Sequence, residues 1–291
     1  MPVREDYFGS SVAVSPTTVV VGAPCDDTGA QDAGSAHVFD AATGNLLRTL
    51  NNPTPALDDE FGSAVAVSAT TIVVGAPWDD TGAREAGSAY IYDAATGNLL
   101  RTLNNPTPAE PDGFGYSVGV SGSTLVVGAL YDSTGARGAG SAYIFDAATG
   151  SLLRTFNNPT PALYDNFGSS VAVSGSTVVV GAPGDDTGAT DSGAAYIHDA
   201  GTGNLLWSLN HPTPAASDGF GSSVAVSGSM VLVGAPGDDT GATDAGSVYI
   251  FDAVTGNLLR TLNNPHASSR RHFWVLRGRV RDHTPRGRPL G

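Results

Sequence analysis

Apolar residues in this chain come in short runs separated by glycine, proline and small polar residues, and one stretch shows the scheme in full. In "FGSSVAVSGSTVVVGAPGDDTGATDSGAAYIHDAGTGNLLWSLN", residues 167–210, there are four such runs. "SSVAVS" alternates apolar and polar positions, "TVVVGA" is β-branched, and Gly175-Ser176 between them is a two-residue hairpin signal. "AAYIHD" and "NLLWSL" follow, parted by the turn-rich "AGTG". No run is long enough, or spaced at 3.6 residues, to specify a helix. The pattern predicts four short strands.

The stretch recurs along the chain. "FG" stands at Phe8, Phe61, Phe114, Phe167 and Phe220, each 53 residues after the last, and "DAATGNLLRTLNNPTPA" is unchanged at 40–56 and 93–109. Four strands at a fixed period of this length are the signature of a propeller blade. Tandem hairpins in a solenoid fit less well, because solenoid repeats are shorter. The fold class expected is all-β: a β-propeller of five four-stranded repeats filling residues 1–265. In such a meander the turns after strands one and three leave from one face, so "SGS" and "DAATGN" share it. The long connections "GAPGDDTGATDSG" and "NHPTPAASDGFG" share the opposite face.

Each copy resembles the FG-GAP repeat of integrin α-subunit propellers and, more closely, the bacterial repeat family of the same name. The residues that carry the resemblance are "FG" opening the first strand, "GAP" closing the second (Gly22-Ala23-Pro24, Gly75-Ala76-Pro77, Gly181-Ala182-Pro183, Gly234-Ala235-Pro236) and "AYIF" or a variant in the third. The third copy departs, with "GAL" ending at Leu130. The resemblance implies a β-propeller, at a cell surface or secreted, that binds other macromolecules. Calcium-binding integrin blades carry an Asp-rich "DxDxDG" segment between the first two strands. Here that connection is "SGS", "SPT" or "SAT", so the integrin calcium site is not carried over and no cofactor is expected, with calcium held elsewhere as the alternative. "YIHDAGTGNLLW" is also similar to pyrroloquinoline-quinone-type blades with their "DxxTGxxxW" outer strand. Those enzymes imply a cofactor site and a vicinal disulfide, which one cysteine cannot supply, so this likeness is expected to report blade packing.

Composition agrees with many short strands joined by turns: 41% apolar, 14% charged, 38 Gly and 18 Pro in 291 residues. With Cys25 alone, neither an internal disulfide nor a Cys-based metal site can form. Charge changes the picture at one end. All 14 basic residues are Arg, and seven of them lie in residues 266–291 against one Asp, so the net −14 leaves about −20 on residues 1–265. A body that acidic repels nucleic acid and anionic membranes and attracts cations or basic partners. No stretch approaches the ~20 apolar residues of a membrane span, and "MPVREDYFGS" has no signal-peptide core, although the chain begins partway into the repeated pattern.

The basic tail, residues 266–291, is expected to be irregular or disordered, and its codons explain it. A sixth "FG" would fall at 273–274, where the chain has Phe273-Trp274. Reading each codon's last two bases with the first of the next, the sole Trp codon, TGG, becomes GGG before a Val codon and specifies glycine. Permitted codons turn 265–267 into P-T-P, Arg270-Arg271 into D-D, Phe273-Trp274 into F-G and 275–283 into S-S-V-A-V-S-G-T-T. The repeat template has "PTPALDDEFGSAVAVS" at 53–68. The tail therefore reads as a frameshifted sixth repeat, and the native array is expected to exceed five blades. A genuine tail binding nucleic acid or anionic lipid is the alternative.

The most chemical-looking residues follow each "GAP": Asp26-Asp27, Asp79-Asp80, Asp132, Asp185-Asp186 and Asp238-Asp239, before "TGA". On one propeller face they would form a ring of carboxylates, suited to a cation or a basic partner. Turn chemistry accounts for each single Asp, and "DDTGA" lacks the alternate ligand spacing of a calcium loop. The residue after "GAP" or "GAL" varies from copy to copy (Cys25, Trp78, Tyr131, Gly184, Gly237), as does the connection "ALDDE", "AEPDG", "ALYDN" or "AASDG" before "FG". Exposed Trp78 and Tyr131 would serve as contact anchors; drift at tolerant loop positions gives the same pattern. No HExxH motif is present, and no phosphate-binding Gly loop precedes a helix, so no catalytic residue is expected.

The function this implies is a non-enzymatic, extracellular or cell-surface binding or scaffold module, contacting protein or glycan through its acidic long-loop face. The alternatives are a structural adhesive or spacer array, or an enzyme with a site in the central channel. The monotonous "SVAVS" first strands argue against the enzyme.

Overall fold

The structure, a computed structural model, describes residues 6–266; the basic tail from residue 267 onward lies outside the described residues. Twenty strands form five four-stranded antiparallel meanders and no helix is present among the described residues. The first blade comprises β1–β4 (Ser11–Val14, Thr18–Ala23, Ser35–Asp40, Leu46–Asn51), the second β5–β8 (Ala64–Val67, Thr71–Ala76, Ser88–Asp93, Leu99–Asn104). The third comprises β9–β12 (Phe114–Ser121, Thr124–Ala129, Ser141–Asp146, Leu152–Asn157), the fourth β13–β16 (Ser170–Ser174, Thr177–Ala182, Ala194–Asp199, Leu205–Asn210). The fifth comprises β17–β20 (Ser223–Ser227, Met230–Ala235, Ser247–Asp252, Leu258–Asn263).

The strands form where the runs place them. β13 and β14 are joined by the two-residue loop Gly175-Ser176, with Gly175 at φ 59°, the positive φ that hairpin geometry asks of its leading residue. The turn after each third strand is held by its Asp: Asp40 accepts from the Thr43 backbone and hydroxyl, both at 2.7 Å, and Asp93, Asp146, Asp199 and Asp252 act likewise. The two tight turns of a blade do share a face, since Ala41 N donates to Thr17 O and Ala200 N to Ser176 O. The long connections meet at the other end, where Asp58, Glu60 and Phe61 donate backbone N–H groups to Gln31, Asp32 and Ala33.

The hydrophobic cores lie between blades rather than within them. Four clusters are present, each drawn from two consecutive blades; one joins Val20, Val38 and Leu50 of the first blade to Phe61, Ile72 and Tyr90 of the second. Strand two is apolar after its first residue because both its faces are covered: every residue of β6 is buried. The first strands β1, β5, β9, β13 and β17 adjoin one another in that order. Among the described residues no fifth core joins the last blade to the first. Val12 and Val14 on β1 are 68% and 73% exposed, so the five blades form an open arc.

Outer strands tie each blade to the next. Arg48 donates to Ala94 O at 3.1 Å and Arg154 to Gly201 O at 2.7 Å. Trp207, at the corresponding place in the fourth blade, lies so close under Gly256 that an added Cβ would stand 2.6 Å from its ring. The Trp of "DxxTGxxxW" is thus a packing residue here.

Candidate functional site

The long-loop face is built on two sets of carboxylates with different jobs. The first Asp of each pair is turned inward. Asp79, Asp132, Asp185 and Asp238 are buried, and each accepts from the backbone N–H two residues on and from a third-strand tyrosine: Tyr90 to Asp79 at 2.8 Å, Tyr143 to Asp132 and Tyr196 to Asp185 at 2.6 Å, and Tyr249 to Asp238. Burial raises the tyrosine hydroxyls well above their ordinary value, so they stay donors. Asp26 is half-buried and takes Ser35 instead, with His37 where the other blades have Tyr. The second Asp is exposed and closes the loop by accepting from the backbone five residues on: Asp27 from Asp32, Asp80 from Glu85, Asp186 from Asp191 and Asp239 from Asp244. Ser133 takes that part in the third blade. The ring of carboxylates therefore resolves into a buried tier that locks the loop to the sheet and an exposed tier that carries the field. Among the described residues no three His, Cys, Asp or Glu side chains come together as a metal site.

A further carboxylate sits at each joint. In the variable connection the fourth residue is Asp every time: Asp59, Asp112, Asp165 and Asp218. Each is buried and accepts from the Ala three residues before it, at 2.6–2.7 Å. Asn52, Asn105 and Asn158 donate to the first three at 2.8, 2.7 and 2.6 Å. Burial pushes Asp59 and Asp112 up to about 6, outweighing these bonds. His211 replaces Asn at the fourth joint, with Nδ1 3.3 Å from Asp218 and Nε2 3.2 Å from Asp238.

Copy-specific aromatics gather on this same face. Trp78 and Tyr131, from adjacent blades, stack with ring centroids 6.1 Å apart at 26°. Tyr116 meets Trp78 edge-on at 6.5 Å, and the indole N–H donates to Glu60 at 3.1 Å. Both anchors are half-buried, so they form the wall of a patch rather than isolated projections. Farther along, Tyr164 lies exposed with the Arg137 guanidinium 5.5 Å from its ring centroid. Sequence reasoning brought Trp78 and Tyr131 forward but passed over Tyr116, whose signal is its departure from the Ser63, Ser169 and Ser222 of the other copies. The variable position is not free drift in the last two blades. A Cβ on Gly184 or Gly237 would stand 2.1 or 2.0 Å from the carbonyl oxygen of Tyr164 or Ser217, so only glycine fits. Cys25 is half-buried. An open groove at the opposite, tight-turn end is lined by Leu206, Trp207, Ser229 and Val254 and brings no titratable group.

A family model described as FG-GAP repeat matches the chain five times, over residues 3–39, 55–92, 107–145, 161–198 and 213–251. The chain belongs to the FG-GAP repeat family. Each FG-GAP match opens ahead of Phe-Gly and ends in the third strand of its blade, leaving the outer strand beyond it. Among curated proteins, none matches this FG-GAP chain.

Proposed function

We propose that this FG-GAP array is a non-enzymatic binding or scaffold module of an extracellular or cell-surface protein, and that it contacts a protein or glycan through the long-loop face of its second to fourth blades. The observation that supports the reading best is the Trp78–Tyr131 stack with Tyr116 beside it: aromatic surface built from residues the other copies lack, on a face rimmed by exposed Asp80 and Asp186. Partly exposed aromatics of this kind supply large contact area at low entropic cost. No helix among the described residues is long and apolar enough to cross a membrane. The test is binding to a glycan array and to a panel of purified extracellular proteins. Trp78→Ala and Tyr131→Ala are expected to weaken any binding at least tenfold, ~1.4 kcal/mol, while Trp207→Ala on the opposite end leaves it unchanged. Binding indifferent to all three sinks this site and favours a spacer.

A further inference from the structure

The joints between blades share a set of fittings, with His211 standing for the Asn at the fourth. The strand-two glycines Gly22, Gly75, Gly128 and Gly181 press so closely on the next copy that an added Cβ would stand 1.9–2.0 Å from the carbonyl oxygen of Gly62, Gly115, Gly168 or Gly221. Gly34, Gly87, Gly140 and Gly193 face the next phenylalanine's carbonyl oxygen in the same way, at 2.0–2.1 Å. Leu50, Leu103, Phe156 and Leu209 are sealed beneath, 3–5% exposed. Asn52, Asn105 and Asn158 each reach a carboxylate of the next copy.

The fifth blade repeats these fittings, and among the described residues they are unfilled. The atom nearest a Cβ on Gly234 is Ser223 Oγ of its own blade, at 2.4 Å, and for Gly246 it is Pro236 O of its own blade, at 3.2 Å. Leu262 is 50% exposed. Asn264 keeps the bond to Ala245 O, as Asn52 keeps its bond to Ala33 O, but no described carboxylate accepts from it.

We propose that this face of the fifth blade is the docking surface for a sixth FG-GAP repeat, the one that codons 265–281 specify when read one base later. With permitted third bases the shifted register gives "PTPALDDTFGSSVAVSG". It places a carboxylate at position 271, the counterpart of Asp59, and phenylalanine and glycine at 273 and 274, the counterparts of Phe61 and Gly62. Those are the groups the sockets at Asn264, Gly246 and Gly234 lack. The glycine admits no codon choice, because Trp274 is encoded only by TGG and the Val275 codon begins with G. A glycine there is also what the joint requires, since its carbonyl must approach the bare Cα of Gly234.

The test compares the chain as it stands with a six-repeat chain, in which "PTPALDDTFGSSVAVSG" and then a second copy of residues 176–211 follow Asn264. Each is made with and without Gly234→Ala. The sixth repeat is expected to slow amide hydrogen exchange in β18–β20 by tenfold or more. Gly234→Ala is expected to abolish that protection while leaving exchange in the five-repeat chain unchanged, where only a movable serine hydroxyl is near. Equal exchange with and without the sixth repeat overturns the proposal, as does protection that survives Gly234→Ala, or a six-repeat chain that fails to fold where the five-repeat chain folds. Sedimentation of the chain as it stands addresses the other occupant: concentration-dependent assembly lost in Phe8→Asp would give the face to the first blade of a second copy, and likewise overturns it.

Discussion

Phe61, Phe114, Phe167 and Phe220 are fully buried, whereas Phe8, the same residue of the same repeat, is 57% exposed. The difference is the neighbour: the interior phenylalanines sit between two blades and Phe8 has a blade on one side only. A blade of this protein is therefore not a unit of stability. Each repeat supplies half of two interfaces, and stability resides at the joints, as in other stacked-repeat arrays.

That contrast breaks most sharply at the phenylalanines themselves. Phe167→Ala is expected to cost ~3–5 kcal/mol in urea unfolding, and Phe8→Ala under ~1 kcal/mol; equal losses would mean the arc is closed in solution. Next come the buried carboxylates. Asp132→Asn removes the charge beneath Tyr143 and Thr134 and should cost ~1.5–3 kcal/mol, with a visibly smaller loss for Asp26→Asn at the half-buried end.

Acidity sharpens the comparison from a third side. Asp59 and Asp112, raised by burial to about 6, hold protons more tightly in the folded chain. The stability they contribute is full below pH ~4 and is lost as pH rises through 6. His198, buried against Phe156 and lowered to about 4, works in the opposite sense: its contribution is present above pH 6.5 and is lost as pH falls toward 4. Thermal midpoints between pH 4 and 7 should show the Asp59→Asn, Asp112→Asn double variant becoming more acid-sensitive. His198→Phe, which restores the residue of Phe39, Phe145 and Phe251, should become less so. The smallest effect is expected at the outer strands: Arg154→Ala loses its bond to Gly201 at ~0.5–1.5 kcal/mol, and Arg260→Ala on the fifth blade stays within ~0.5 kcal/mol, both by urea titration.

The strands were legible because five copies give five readings of every position. "TVVVGA" is β14 and "AAYIHD" is β15, residue for residue. The faces followed from meander topology alone. The division of labour among the carboxylates was not legible, since Asp79 and Tyr90 meet across a long loop and nothing in "DDTGA" says which Asp turns inward. Asp59 and its counterparts were hidden in a connection that looks variable: among "ALDDE", "AEPDG", "ALYDN" and "AASDG" only the first and fourth letters are the same in all four. The aromatic patch was half legible, because stacking between Trp78 and Tyr131 depends on how two blades abut, which no single copy encodes.

The close backbone approach at Gly22, Gly75, Gly128 and Gly181 has a consequence for how such a gene changes. Because every joint is built on the same close glycine approach, unequal crossing-over that adds or removes 53 codons keeps that approach at each surviving interface, and the array lengthens or shortens by whole blades. Loss or gain of a single base spares nothing downstream.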